Sequence, residues 1–182
     1  MTRPALLVTR RIYPEVLAGL AAQFDVTHNQ HDDLLWSKPE LIDKISAIDY
    51  LLCTVVDKVD AEVIAAAPRL KAIATGAVGF NNIDVAACQA RGIRVSNTPD
   101  VLTETTADFA WALLMATARR VSESERYVRA GQWSGWAFDQ FTGVDVHGAS
   151  LGILGMGRIG GAIARRASGF GMTLRYHNRK PA

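Results

Sequence analysis

Leu151-Gly152-Ile153-Leu154-Gly155-Met156-Gly157-Arg158-Ile159-Gly160 decides how this chain folds. Ser150 to Leu154 is an apolar run that reads as a strand, and Met172 to His177 reads as another. Gly157 to Phe170 reads as a helix, because Ile159, Ala162, Ile163, Ala167 and Phe170 recur along one face. Between first strand and helix, Gly155 to Gly160 fits G-x-G-x-x-G. Gly155 allows a tight turn, Gly157 lets the backbone approach a pyrophosphate, and Gly160 permits close packing of helix on strand. The helix N-terminus adds unpaired amides and a dipole that favours phosphate. A glycine turn that merely packs closely would show the same letters. The strand, helix and strand in register around it point instead to a dinucleotide, with Gly155, Met156, Gly157, Arg158, Ile159 and Gly160 as the residues that hold it.

The second strand should end where an NAD-specific site carries an acidic residue. Asn178 stands there, 23 residues past Gly155, followed at once by Arg179 and Lys180. Without a carboxylate nothing repels a 2′-phosphate, and an arginine beside the pocket can pair with one through two charge-assisted bonds. Asn178, Arg179 and Lys180 are therefore read as cofactor-binding residues, with NADP the expected cofactor and NAD the second choice. The bland alternative is a solvated strand end that happens to be basic.

Toward the N-terminus, short strand-like and helical runs alternate. Ala5 to Thr9, Asp25 to His28, Tyr50 to Thr54, Leu70 to Ala74 and Ile93 to Ser96 read as strands. Pro14 to Phe24, Pro39 to Ile48, Ala61 to Ala67 and Ile83 to Arg91 read as helices. This order implies a mostly parallel sheet with helices on both faces. Asn97-Thr98-Pro99-Asp100 is turn chemistry and precedes a much longer helical stretch, so a boundary is placed there. Thr105 and Asp108 have capping-box spacing, and Ala107, Ala110, Trp111, Leu114, Met115 and Ala118 share a face that Phe109 and Leu113 broaden. A helix apolar over so much of its circumference is expected to be covered on several sides. Gly131 to Gly148, with Trp133, Trp136 and Phe138 among glycines, reads as an ordered loop. The expected organisation is an α/β protein: a flavodoxin-like substrate domain over residues 1–98, then, over 99–182, an interdomain helix and arm leading into the beginning of a Rossmann domain.

Composition excludes more than it identifies. Hydrophobic residues at 49% and charged residues at 21% are ordinary for a globular protein, and a net charge of +2 gives no reason to expect nucleic acid or an anionic membrane. The apolar stretch after Met1-Thr2-Arg3-Pro4 is too short for a signal-peptide core, and no run reaches membrane-spanning length. Cys53 and Cys88 have neither metal-ligand spacing nor a disulfide framework, so a cytoplasmic setting and no metal are expected.

Ala74 to Asp84, the loop Ala74-Thr75-Gly76-Ala77-Val78-Gly79-Phe80-Asn81-Asn82-Ile83-Asp84, follows a strand at the end where open α/β sheets bind ligands. Successive amides in such a turn can make a small anion site suited to a carboxylate, although an ordinary tight turn between strand and helix would look the same. Taken with Asn97 to Asp108, Leu151 to Gly160 and Gly169-Phe170-Gly171-Met172, the stretch Val78 to Asp84 resembles the D-isomer-specific 2-hydroxyacid dehydrogenases, over about Leu6 to Arg179. Val101 to Asp108, Ala118 to Val121, Gly131-Gln132-Trp133 and Asp145-Val146-His147 look most like the glyoxylate/hydroxypyruvate reductase and 2-ketogluconate reductase branch.

The resemblance implies reduction of a small 2-oxo acid by hydride transfer from NADPH. It implies that Val78 and Gly79 hold the substrate carboxylate, that Thr105 approaches the cofactor, and that Arg158 and Ile159 lie over the pyrophosphate. The long helix and the arm around Trp133 and Trp136 resemble dimer contacts, so a homodimer is implied for the full-length parent. Members of the family run to nearly twice this length, with the catalytic Arg, Glu and His beyond the position of Ala182. None of His28, His31, His147 and His177 stands in the motif that carries the catalytic His, so no catalytic residue is assigned. The chain by itself is expected to be inactive. A non-catalytic module that binds a dinucleotide or a partner subunit is the alternative.

Overall fold

The computed structural model describes residues 3–31 and 35–181; Met1, Thr2, residues 32–34 and Ala182 lie outside the described residues. The chain divides into two compact units, 1–99 and 100–182.

The first unit contains β1 (Ala5–Val8), α1 (Pro14–Ala21), β2 (Asp25–His28), α2 (Lys38–Ile45), β3 (Tyr50–Cys53), α3 (Ala61–Ala65), β4 (Ala72–Thr75), α4 (Val85–Ala90) and β5 (Arg94–Ser96). The strands form one sheet in the order β2-β1-β3-β4-β5, and every pairing is parallel. This is the flavodoxin-like order, in which the chain reverses direction across the sheet beside β1. Period-two alternation sends Leu51, Cys53, Ile73 and Thr75 into full burial. Leu7, Leu51 and Ile73 pack there with Leu41 and Ile45 of α2, Val63 and Ile64 of α3 and Cys88 of α4.

Local chemistry fixes where these helices start. Ser37 and Glu40 form a capping box on α2, and Asp60 and Asp84 accept the amides of Val63 and Ala87 at the starts of α3 and α4. At the amino-terminal edge of the sheet, buried Asp49 accepts from the Ala5 amide at 3.0 Å and pairs with Arg69 at 2.8 Å and Lys71 at 3.1 Å. The Ala5 amide, then the two cations, hold its carboxyl below the ordinary range. The opposite edge, where β1, β3, β4 and β5 end, is left for the loops that concern function.

The second unit contains α5 (Thr103–Ala118), α6 (Val121–Arg129), β6 (Ser150–Leu154), α7 (Arg158–Ala167), a 3-10 turn (Ser168–Phe170) and β7 (Thr173–His177). β6 and β7 pair in parallel along their whole length, from Ser150 beside Thr173 to Leu154 beside His177. The Trp111 ring of α5 stacks on Phe170 with centroids 4.7 Å apart and donates its Nε1–H to the Ile163 carbonyl at 3.1 Å. That contact locks α5 onto the end of α7, and Leu114, Met115, Ala118 and Ile163 pack around it. Phe109 and Leu113, which broaden the apolar face in the sequence, stay exposed, as do Trp133, Trp136 and Phe138 in the loop after α6. No helix among the described residues is long and apolar enough to cross a membrane.

The start of α5 corrects the capping-box expectation. The helix begins three residues earlier, with Leu102 as its N-cap and Thr103 its first residue; the Thr105 hydroxyl donates back to the Leu102 carbonyl, and Asp108 pairs with Arg166 of α7. An ion pair across two packed helices has taken the carboxylate that a local cap would use. The helical stretch is also broken: Arg120 adopts the left-handed conformation between α5 and α6, at φ 52°.

Candidate functional site

In the second unit, Gly155 follows β6 with φ at 98°, a conformation that side chains with a Cβ rarely adopt. Its amide donates to the His177 carbonyl at 2.9 Å, so the turn lies beside the end of β7, where Asn178, Arg179 and Lys180 follow, all exposed. Gly157 caps α7, and a Cβ there would meet nothing within 4 Å. Gly160 is the reverse case: a Cβ would stand 2.1 Å from the Gly155 carbonyl oxygen and 3.4 Å from Ile153 Cγ2. The turn therefore has a closed back, where helix and strand touch, and an open front at Gly157. The first-turn amides of α7 face that front, as a helix N-terminus requires of groups without intrahelical acceptors. This backbone fits a dinucleotide pyrophosphate. Met156 and Ile159 are half-buried along the turn; Arg158 is exposed and pairs with Asp100 at 2.8 Å. Thr105 is exposed near the start of α5.

In the first unit, the loop from Gly76 to Asn82 leaves β4 at the carboxyl edge of the sheet. Several hydrogen bonds hold it. The Gly76 amide donates to the Cys53 carbonyl at 3.0 Å, the Thr98 amide to the Ala77 carbonyl at 2.9 Å, and Asn97 Nδ2 to the Val78 carbonyl at 2.8 Å. A planar trans peptide points its N–H opposite to its C=O. Fixing the Ala77 and Val78 carbonyls against the β5 end thus turns the Val78 and Gly79 amides the other way. No acceptor among the described residues takes either amide. Two aligned N–H groups in a half-exposed turn can bind one carboxylate.

The sequence does not reveal what holds the far end of this loop. Asn82 Nδ2 donates to two carbonyls of the turn after β3, Thr54 at 3.0 Å and Asp57 at 2.8 Å. That turn is set by the buried Asp57 carboxylate, whose Oδ2 accepts from Thr9 Oγ1 at 2.7 Å, the Thr54 amide at 2.8 Å and Thr54 Oγ1 at 3.1 Å. Beside it, burial pushes the Cys53 thiol up to about 12, with the Asp57 charge adding to the shift, so this cysteine is inert. The structure thus places the predicted residues in two groups, Val78 and Gly79 in the first unit and the glycine turn, Thr105 and Asn178 to Lys180 in the second.

The family described as D-isomer specific 2-hydroxyacid dehydrogenase, catalytic domain, matches residues 6–173. A glyoxylate reductase from Korarchaeum cryptofilum is 49% identical over 177 residues, which cover 97% of this chain and 53% of that protein. A crystal structure of a protein from Thermus thermophilus superimposes with a TM-score of 0.89 at 44% identity, covering 98% of this chain and 57% of the other. An NADPH-dependent glyoxylate/hydroxypyruvate reductase from Sinorhizobium meliloti, solved with NADP and malonate, has a TM-score of 0.80 at 34% identity over 100% of this chain and 55% of its own. The chain spans about half the length of the relatives it matches. With the flavodoxin-like sheet, the parallel β6-α7-β7 unit and a match over nearly its whole length, this chain belongs to the D-isomer specific 2-hydroxyacid dehydrogenase family.

Proposed function

We propose that the protein carrying this chain reduces a small 2-oxo acid of the glyoxylate, hydroxypyruvate or 2-ketogluconate type, with NADPH preferred over NADH. Residues 1–98 serve as the substrate domain, and 99–182 supply the interdomain helix, the arm and the opening of the dinucleotide-binding domain. The observation that carries this reading is the closed-back, open-front glycine turn at the start of α7, in a chain that matches the family from residue 6 to 173. Bound there, the nicotinamide cofactor supplies the hydride. The chain's own residues bind and orient. Gly157 and the first-turn amides of α7 take the pyrophosphate, Arg158 and Ile159 lie over it, and Thr105 approaches from α5. Arg179 and Lys180, beside an uncharged Asn178, favour the 2′-phosphate. Val78 and Gly79 hold the substrate carboxylate.

The exposed Trp133, Trp136 and Phe138 in the arm, with Phe109 and Leu113 on α5, are more apolar surface than a lone subunit needs, and they suit a homodimer contact. The proton donor to the substrate oxygen is expected from the part of the relatives' length that this chain does not match. The direct test is NADPH oxidation by the full-length protein with glyoxylate and hydroxypyruvate. Reduction of either, faster with NADPH than with NADH, supports the reading. Tight NADPH binding with no reduction of any 2-oxo acid would favour a non-catalytic dinucleotide-binding module instead.

A further inference from the structure

We propose that Asp57 and Asn82 are positioning residues for the substrate carboxylate, acting through the backbone of the loop that presents Val78 and Gly79. The inference rests on the reading that these two amides bind the carboxylate. Neither side chain needs to touch the ligand.

Gly76 and Gly79 remove the Cβ restraint at two of the loop's positions, so its peptide planes stay aimed only if both ends are fixed. The end next to β4 is fixed by Cys53, Asn97 and Thr98. The other end depends on Asn82, whose two amide hydrogens each meet a carbonyl, of Thr54 and of Asp57. The orientation of this amide is dictated, because reversing it would set its oxygen against two carbonyl oxygens. The Asn82 carbonyl in turn accepts the Val59 amide at 2.9 Å, so main chain and side chain are pinned to the same segment.

Those two carbonyls converge because Asp57 closes the turn. Its carboxylate gathers Thr9 Oγ1, the Thr54 amide and Thr54 Oγ1, while its own amide donates to the Thr54 carbonyl at 3.2 Å. A buried carboxylate is costly to place unless its donors are in position, so the three hydrogen bonds to Oδ2 set its geometry narrowly. The chain of contacts runs from β1 through the turn after β3 to the loop after β4. It ties the ends of β1 and β3 to the loop after β4 that carries the proposed anion site.

The test uses the full-length protein and compares D57A, D57N and N82A with the wild type. D57A and N82A should each raise KM for glyoxylate on the order of tenfold, the effect of losing a buried hydrogen-bonded contact. KM for NADPH should stay near the wild-type value. D57N keeps an oxygen where Oδ2 stands and should recover most of the affinity that D57A loses. Amide chemical shifts of Val78 and Gly79 should move in D57A and N82A without ligand, and return toward the wild type in D57N. Unchanged glyoxylate KM in both alanine variants overturns the proposal, as does an equal loss for glyoxylate and NADPH, the mark of general unfolding. A wild type that reduces no 2-oxo acid brings down the functional reading first and this proposal with it. An active wild type whose Val78 and Gly79 shifts ignore Asp57 and Asn82 brings down this proposal alone.

Discussion

Gly160 sits so close to Gly155 that a single methyl group on it would stand 2.1 Å from the Gly155 carbonyl oxygen. Ala is the better helix former by about 1 kcal/mol, so on propensity alone Gly160→Ala would stabilise α7. The clash is with backbone, which cannot swing aside, and overpacking of this kind costs about 1–3 kcal/mol or more. The clash therefore wins, and G160A should lower the melting temperature and weaken NADPH binding together. Gly157→Ala separates the two effects. Its Cβ meets nothing within 4 Å, so folding should hardly change while the methyl obstructs the approach of the pyrophosphate. Thermal melts and NADPH titrations of both variants decide the matter, and a G157A protein that binds NADPH as tightly as the wild type would remove the turn from the cofactor site.

Asp49 predicts a pH signature at the other edge of the first sheet. Its folded carboxyl is held low by the Ala5 amide, Lys71 and Arg69. The stability it contributes is then fully present above the unfolded carboxyl value of ~3.9 and is lost as pH falls through the lower folded value. Asp49→Asn should cost roughly 1–3 kcal/mol at neutral pH, since a buried amide then lacks its charged acceptor. The gap between variant and wild type should close as pH drops below about 4. Urea unfolding at neutral and acid pH measures it, and a gap that stays constant would show that Asp49 remains charged or was never coupled to folding.

Much of this architecture is legible in the sequence, for local reasons. β6 runs from Ser150 to Leu154, as the glycine turn indicates, because a short apolar run bounded by turn residues leaves a strand few other places to end. What escapes such reading joins distant segments. Asp108 looks like a local cap, but an arginine 58 residues away takes it. The break at Arg120 has no glycine or proline to announce it. Thr9, Thr54, Asp57 and Asn82 form one network only because parallel pairing brings the ends of β1, β3 and β4 side by side, a juxtaposition that no spacing along the chain encodes.

The 182 residues expressed by themselves should bind NADPH weakly and turn over neither glyoxylate nor hydroxypyruvate. A positioned general acid contributes ~10²–10⁴-fold, and electrostatic stabilisation of a developing oxyanion adds a comparable factor. Neither group is assigned within these residues. Leu154 and Tyr176 on the β6–β7 pair are also exposed, which should favour association of the isolated polypeptide. A turnover number near the ordinary enzyme median of ~10 s⁻¹ would show that a residue in this chain supplies the acid.

Cofactor preference is the property most open to redesign, because it rests on so few side chains. Asn178 follows β7 directly, and the Gly155 amide on the His177 carbonyl fixes the glycine turn beside it. In the proposed complex the adenosine ribose lies against this strand end, with the 2′ position reaching Asn178 and Arg179. A carboxylate at 178 would accept both ribose hydroxyls of NADH and repel the 2′-phosphate of NADPH, while Arg179 supplies the opposing attraction. Asn178→Asp combined with Arg179→Gln in the full-length protein should therefore raise KM for NADPH and lower KM for NADH. Each charge change beside the bound ribose is worth up to about 1 kcal/mol at this exposed strand end, so the two together should shift the ratio of kcat/KM values by up to roughly 30-fold. Steady-state kinetics with both cofactors, before and after the change, reads the shift. Equal kcat/KM for the two cofactors in the unmodified protein would mean that Arg179 and Lys180 are a solvated strand end and do not read the phosphate.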